Sequence, residues 1–309
     1  MGRDLVIIAG PTGVGKSNLA VELAKRCNGE IVSCDSMQIY QGLDIGSAKV
    51  TQSQRQGIAH HLLDIVDPKA EFSVAEFRDR ALSAILTIQA KGKLPILTGG
   101  TGLFINSIIY RMNFGEAIKS DSIRASYELI AKEQGNGALH QILQEKDPSS
   151  AGRIHANNVK RVIRALEVLS VTGRPFSDYR EEKQLNSDFD IYYYWISCDR
   201  ATLYENIDQR VDGMMTQGLL DEVKRLKDSG LTRDDQSMQG IGYKEILEYL
   251  DGKITLNYAV ELIKQRSRNY AKRQMTWFRN DENSQELSKE LMTEPQMLFK
   301  IESDLQILK

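Results

Sequence analysis

Residues 10–17, GPTGVGKS, constrain this chain more than any other stretch. They satisfy the pattern Gly-x4-Gly-Lys-Ser/Thr, with the apolar run Leu5-Val6-Ile7-Ile8-Ala9 directly before and the helical periodicity of Asn18 to Arg26 directly after. Strand, glycine-rich turn and helix in that order make a unit that holds a chain of phosphates. The spacing has a physical reason. Across Gly10, Pro11, Thr12, Gly13, Val14 and Gly15, the glycines let successive backbone N–H groups converge on one point at the positive end of a helix. Lys16 adds a point charge there, and the Ser17 hydroxyl can ligate a magnesium ion. A plain glycine turn is the alternative, and it would explain neither Lys16-Ser17 nor the two flanks.

The rest of the amino-terminal third repeats the strand-to-helix pattern. Glu30 to Cys34 reads as a short buried strand ending at Asp35-Ser36. Leu94 to Thr98 reads as another, ending in Gly99-Gly100-Thr101-Gly102 before the apolar Leu103 to Ile109. A helix from Ser73 to Lys91 lies between them, with Leu82, Ile85, Leu86 and Ile88 as its apolar positions and Gly92 as its stop. Alternating strands and helices predict an α/β fold of the phosphate-loop type: a parallel sheet with helices on both faces. Ligands then gather at the carboxyl ends of the strands, where the glycine-rich loop, Asp35 and Thr101 all fall.

After Met112 the text turns helical and strand-poor, and sheet-like sequence returns only at Asp190 to Ile196. An all-helical insertion follows from this. The expected division is a core of residues 1–112 and 184–280, an inserted helical domain of 113–183, and an acidic tail of 281–309 that is helical at best. A length of 309 residues accommodates such an arrangement. No run approaches a membrane span, and Met1 to Asp4 leave no room for a signal peptide ahead of the first strand. Cys27, Cys34 and Cys198 lack metal-binding or disulfide spacing, which points to reduced thiols in the cytoplasm. A formal net charge of −2 gives no global pull toward nucleic acid, so any such binding must rest on local patches.

Several positions carry candidate chemistry. Asp35, at a strand end beside the phosphate loop, suits a general base or a water-mediated magnesium ligand; a helix-capping role is the alternative. Leu62-Leu63-Asp64-Ile65 imitates a metal-holding strand end, but Pro68 and His60-His61 make it read as a loop, with the histidines structural. Gly99-Gly100-Thr101-Gly102 permits close approach of a second ligand, with the Thr101 hydroxyl as donor. Arg210 projects off the Leu203, Ile207, Val211 stripe of its helix, free to clamp a phosphate or to lie on the surface. Two helices are basic. One carries Arg153, Lys160, Arg161 and Arg164 opposite an apolar stripe; the other carries Lys264, Arg266, Arg268, Lys272, Arg273 and Arg279, with Trp277 and Phe278 expected in the core. Such surfaces suit nucleic-acid phosphates, although a solvated face is the ordinary reading of either alone.

Taken together, GPTGVGKS, SCDSMQIYQGLDIGSAK, HHLLDIVDP, LTGGTGLFINSI, RIHANNVKRVIRALEV, LYENIDQRVDGMM, QGIGYKEI and NYAKRQMTWFR resemble the tRNA dimethylallyltransferase family over nearly the whole chain. The resemblance implies transfer of a dimethylallyl group from dimethylallyl diphosphate to N6 of an adenosine next to the anticodon, with Mg2+ as cofactor. It implies that residues Thr12 to Ser17 cradle the diphosphate, that Lys16 and Arg210 neutralise the leaving group, that Asp35 is the base and that Thr101 assists positioning. It further implies tRNA contacts at Asp35, Ser36, Met37, Gln38, Thr101 and Arg124. Lys160, Arg161, Val162, Ile163 and Arg164 are implied likewise, as are Gln239, Gly240, Ile241, Gly242, Tyr243 and Lys244. With no zinc-finger cysteines after the last helix, the chain is similar to the shorter bacterial form, and a monomer is expected. A small-molecule kinase using ATP and a nucleotide-gated RNA-binding protein share the phosphate loop, and they remain open on residues alone.

Overall fold

Strand β1, Asp4–Ala9, is apolar at every position after Asp4, and such a strand needs cover on both faces. The computed structural model, which describes residues 3–111, 120–179 and 184–306, supplies that cover. In chain order the elements begin β1, α1 (Lys16–Arg26), β2 (Gly29–Ser33), α2 (Gln52–Arg55), β3 (His60–His61), α3 (Val74–Ala90), β4 (Leu94–Gly99) and α4 (Gly102–Ile109). The helices α5 (Asp121–Lys146), α6 (Pro148–Ala151) and α7 (Val159–Thr172) follow. The chain continues with β5 (Asp190–Ser197), α8 (Arg200–Thr216), α9 (Leu219–Asp228), α10 (Tyr243–Leu250), α11 (Leu256–Arg279), β6 (Gln285–Ser288) and α12 (Glu294–Asp304).

The six strands form one sheet in the order β3-β2-β4-β1-β5-β6, every pair parallel. Val6, Ile8, Ile96, Tyr194 and Ile196 share a core with α1 and α12, while Leu5, Ile7 and Ala9 are buried on the other face. Because all strands point one way, the loops after β1, β2, β4, β5 and β6 open at a single edge. No helix among the described residues is long and apolar enough to cross a membrane.

Two expectations need correcting. The segment after 281 is not an appended acidic helix: β6 pairs with β5, and Leu287, Met297, Leu298 and Ile301 are buried. A four-residue edge strand with one buried apolar side chain is too short to show a period, and its one acidic residue, Glu286, is exposed. On α3 the buried stripe is Phe77, Ala81, Ile85 and Ile88, which leaves Leu86 59% exposed.

The chain divides into two compact units, Met1–Ile109 with Asn186–Lys309, and Tyr110–Leu185. The boundaries expected from sequence at 112/113 and 183/184 fall on or beside residues outside the described ones. Within the helical unit, Leu139, Leu143, Ala151, Ile154, Val162 and Leu166 make the core, and Gly135 breaks α5 with φ +88°. Glu167 is fully buried there. Arg124 grips it with Nε at 2.8 Å and a second nitrogen at 3.0 Å, Arg164 reaches it at 2.6 Å, and the Ser120 amide donates at 2.9 Å. Burial alone would raise the Glu167 carboxyl, but these donors outweigh it and hold it below the usual range.

Candidate active site

The glycine-rich loop runs from the end of β1 into α1. Gly13 and Gly15 have φ of +82° and +89°, a left-handed backbone that turns their amides toward one point and that a Cβ would strain. Lys16 Nζ lies 3.3 Å from the Pro11 carbonyl oxygen, folded back over the loop. Burial, and then the neighbouring Arg210 guanidinium, push the Lys16 ammonium down to about 8, against the pull of Asp35. Burial lowers Arg210 as well, again opposed by Asp35. Two cations and one carboxylate, from the start of α1, the loop after β2 and α8, therefore sense one another at the sheet edge.

Asp35 caps no helix. Its Oδ1 accepts from the Met37 amide at 2.9 Å, closing a tight turn that fixes one carboxylate oxygen. Thr101 Oγ1 accepts from the Ser36 amide at 3.1 Å and lies 3.4 Å from Ser36 Oγ, while the Thr101 amide donates to the Cys34 carbonyl at 3.2 Å. The β2 and β4 loops are thus laced together. Gly99 is required by that approach, since a Cβ there would stand 2.1 Å from the Cys34 oxygen.

Between these loops lies a partly open cavity of about 50 Å³, bordered by Thr12, Lys16, Ser17, Asp35, Gln38, Thr98 and Arg210, with Ile31, Val50 and Leu63 as apolar walls. A second cavity of about 720 Å³ shares Lys16, Ser17 and Arg210 with it and extends along residues 44–54 and α8. His60 borders the small cavity, its Nδ1 2.9 Å from the Ile58 carbonyl, and His61 Nε2 meets the buried Glu30 at 2.8 Å. Asp64 lies on a loop and pairs with Lys49 at 2.5 Å.

Sequence reasoning passed over several residues. Gln274 of α11 is buried; its Oε1 accepts from the Thr12 amide at 2.9 Å and its Nε2 donates to the Gly100 carbonyl at 2.8 Å, so one side chain spans both glycine-rich loops. Tyr270, one turn earlier, reaches Thr101 and Gln274; burial and Asp35 push its phenol up to about 12. A glutamine on the buried stripe Ala259, Ile263, Ala271, Phe278 was the available signal. Lys289, just after β6, sets its ammonium against Gly15, 3.0 Å from where a Cβ would stand.

The residues expected at RNA fall into distinct environments. Val162 and Ile163 are core residues of the helical unit, so their side chains are withdrawn from any RNA contact. Arg124 and Arg164 bind Glu167, whereas Lys160 and Arg161 are exposed. On α11, Lys264 pairs with Asp212, Arg266 with Glu245 and Arg268 with Asp208, leaving Lys272, Arg273 and Arg279 exposed. Phe278 is buried, but Trp277 is 43% exposed and lies against Gly102, contrary to the expectation of a core position. In residues 239–244, Gln239 is exposed, Gly240 packs on the Met37 methyl, and Ile241 and Lys244 are half-buried. Gly242 opens α10 with its amide donating to Glu245 at 2.7 Å, and Tyr243 is fully buried.

A family model described as IPP transferase matches residues 38–281. Among solved structures, the tRNA isopentenylpyrophosphate transferase of Bacillus halodurans is 43% identical with a TM-score of 0.74, covering 98% of this chain and 96% of that one. The tRNA delta(2)-isopentenylpyrophosphate transferase of Staphylococcus epidermidis is 44% identical with a TM-score of 0.72, covering 98% of each. A eukaryotic dimethylallyltransferase acting on tRNA is 29% identical with a TM-score of 0.82, covering 99% of this chain and 80% of that one.

Proposed function

Since this chain belongs to the IPP transferase family, we infer that it moves a dimethylallyl group from dimethylallyl diphosphate to the N6 amine of an adenosine beside the anticodon of tRNA. The observation that supports this reading best is the small cavity where Lys16 and Arg210 face Asp35 beside the glycine-rich loop. Two cations with lowered proton affinity are stabilised by a diphosphate, and the carboxylate suits an amine that must shed a proton.

In the reaction the bond between the allylic carbon and the bridging oxygen breaks, and the diphosphate leaves with the electron pair. The N6 nitrogen forms the new bond to carbon. Lys16, Arg210 and the loop amides stabilise charge growing on the leaving group. An exocyclic adenine nitrogen is a poor nucleophile, so Asp35 takes its proton as the bond forms. Thr101 holds the Ser36 turn and with it the direction of the carboxylate. The adenosine leaves its stack to reach this depth. Lys160 and Arg161 of α7, with Lys272, Arg273 and Arg279 of α11, meet backbone phosphates.

The residues suit Mg2+ as a companion of the diphosphate. Ser17 and Asp35 border one cavity, while no cluster of three His, Cys, Asp or Glu side chains gathers as a metal cage among the described residues. Ser17 would hold such an ion, with most remaining ligands drawn from diphosphate and water. When bound, it neutralises charge on the leaving diphosphate. The reading includes a monomer acting in the cytoplasm, where a tRNA substrate is met.

Incubation with labelled dimethylallyl diphosphate, Mg2+ and tRNA, without ATP, should give N6-dimethylallyladenosine and free diphosphate. A strict ATP requirement, with label passing from the γ-phosphate to a small molecule, would overturn the reading.

A further inference from the structure

Glu222 sits on the buried stripe of α9 with Leu219, Val223 and Leu226, and it is 2% exposed. Its carboxylate collects three consecutive backbone amides: Asp44 at 3.1 Å, Ile45 at 2.8 Å and Gly46 at 3.1 Å. The Tyr243 hydroxyl donates to it at 2.8 Å and accepts from the Ser47 amide at 3.1 Å. Burial and Glu222 raise the Tyr243 phenol well above its ordinary range, so it stays a donor. A buried carboxylate held by successive N–H groups is an internal version of an anion-binding nest.

The turn fixed in this way grips another side chain. The carbonyls of Ser47 and Ala48 receive Gln38 Nε2 at 3.3 and 3.2 Å. Carbonyls only accept, so the orientation of the Gln38 carboxamide follows: its nitrogen faces the turn, and its Oε1 accepts from Ser33 Oγ at 3.4 Å. Gln38 borders the small cavity together with Asp35. An oxygen presented there matches a ligand that brings an N–H donor, such as the amine of an adenine.

We propose that Glu222 is a positioning residue for acceptor recognition, which acts through the 44–48 turn to hold Gln38 with its oxygen available beside Asp35. The proposal rests on the prenyl-transfer reading and assigns Tyr243 an indirect part, as the second anchor of the turn. Glu222→Gln keeps the volume but sets an amide against the donors of the nest. Misplacing a binding group by about 1 Å costs up to ~10²-fold in rate, so kcat/KM for tRNA should fall on the order of ten- to a hundredfold. Affinity for dimethylallyl diphosphate should change less than about twofold.

The decisive measurement is a double-mutant cycle with Gln38→Ala. If both residues act along one chain, the double variant loses little more than the worse single variant. Losses that multiply, or equal damage to donor and acceptor binding, would overturn the proposal. Hydrogen exchange at the amides of residues 44–46 tests the clamp without any activity: they should be protected in the unmodified protein and exchange faster in Glu222→Gln. Unchanged exchange would sink the clamp even if tRNA prenylation is observed, and absent prenylation with changed exchange would fault the functional reading instead. Should Glu222→Gln fail to fold, Tyr243→Phe removes the hydroxyl shared by Glu222 and Ser47 and carries the same cycle.

Discussion

Cations at the strand ends and cations on the basic helices have opposite circumstances. Lys16 and Arg210 come from separate elements, feel the single carboxylate Asp35, and have their proton affinity lowered by burial and, for Lys16, by its cationic neighbour. Arg124 and Arg164 converge on Glu167, and Lys264, Arg266 and Arg268 each meet an acid from another helix. The first group keeps its charge available for a ligand. Much of the second uses its charge to hold the protein together, and only the remainder faces outward. Counting basic residues on a helix therefore overstates its nucleic-acid surface.

The largest test of this contrast lies at the strand ends. Asp35→Asn should lower turnover by about 10²–10⁴, the usual loss when a general base is removed, with tRNA affinity largely kept. Single-turnover assays with saturating tRNA would measure it, and near-normal turnover would remove Asp35 from that role.

A smaller effect follows from Lys16. Its ammonium must be charged to hold an anion, and in the free protein it titrates near 8. Below pH 8 the charge is present; above it, donor affinity should weaken by up to about tenfold per pH unit. Diphosphate binding followed by calorimetry should show this bend, and Lys16→Met should bind weakly and without it. A flat profile in the unmodified protein would contradict the lowered proton affinity.

The smallest effects separate exposed from paired cations. Lys160→Ala and Arg161→Ala should each flatten the salt dependence of tRNA binding by about 0.9 in log-log slope, with little change in melting temperature. Arg164→Ala should do the reverse, because it removes a donor from a fully buried carboxylate and costs about 1–3 kcal/mol of stability. Salt titrations beside thermal melts would expose any exchange of the two behaviours.

The sequence displayed what is local. Long apolar strands, the glycine-rich loop and the strand ends carrying Asp35 and Thr101 were readable because their neighbours in sequence are their neighbours in space. Strands β3 and β6 were not, since two and four residues cannot show a period. Gln274 and Glu222 looked like ordinary polar breaks in apolar stripes. Only tertiary packing reveals that one spans two loops and the other gathers three amides. The pairing of α11 with Asp208, Asp212 and Glu245 was hidden for the same reason, because those acids lie 21–60 residues away.

The place of β6 and α12 bears on how the chain is made. Residues 285–304 finish the sheet beside β5 and cover α1, a segment synthesised long before them. The α1 face therefore stays uncovered from its own synthesis, and the β5 edge from residue 197, until residues 285–304 emerge, whereas residues 110–185 are complete well before that segment. The inserted helices can pack during synthesis, but the sheet that interrupts itself to accommodate them must wait for β6. A release of the chain before residue 285 leaves the β5 edge open to pair with a stranger.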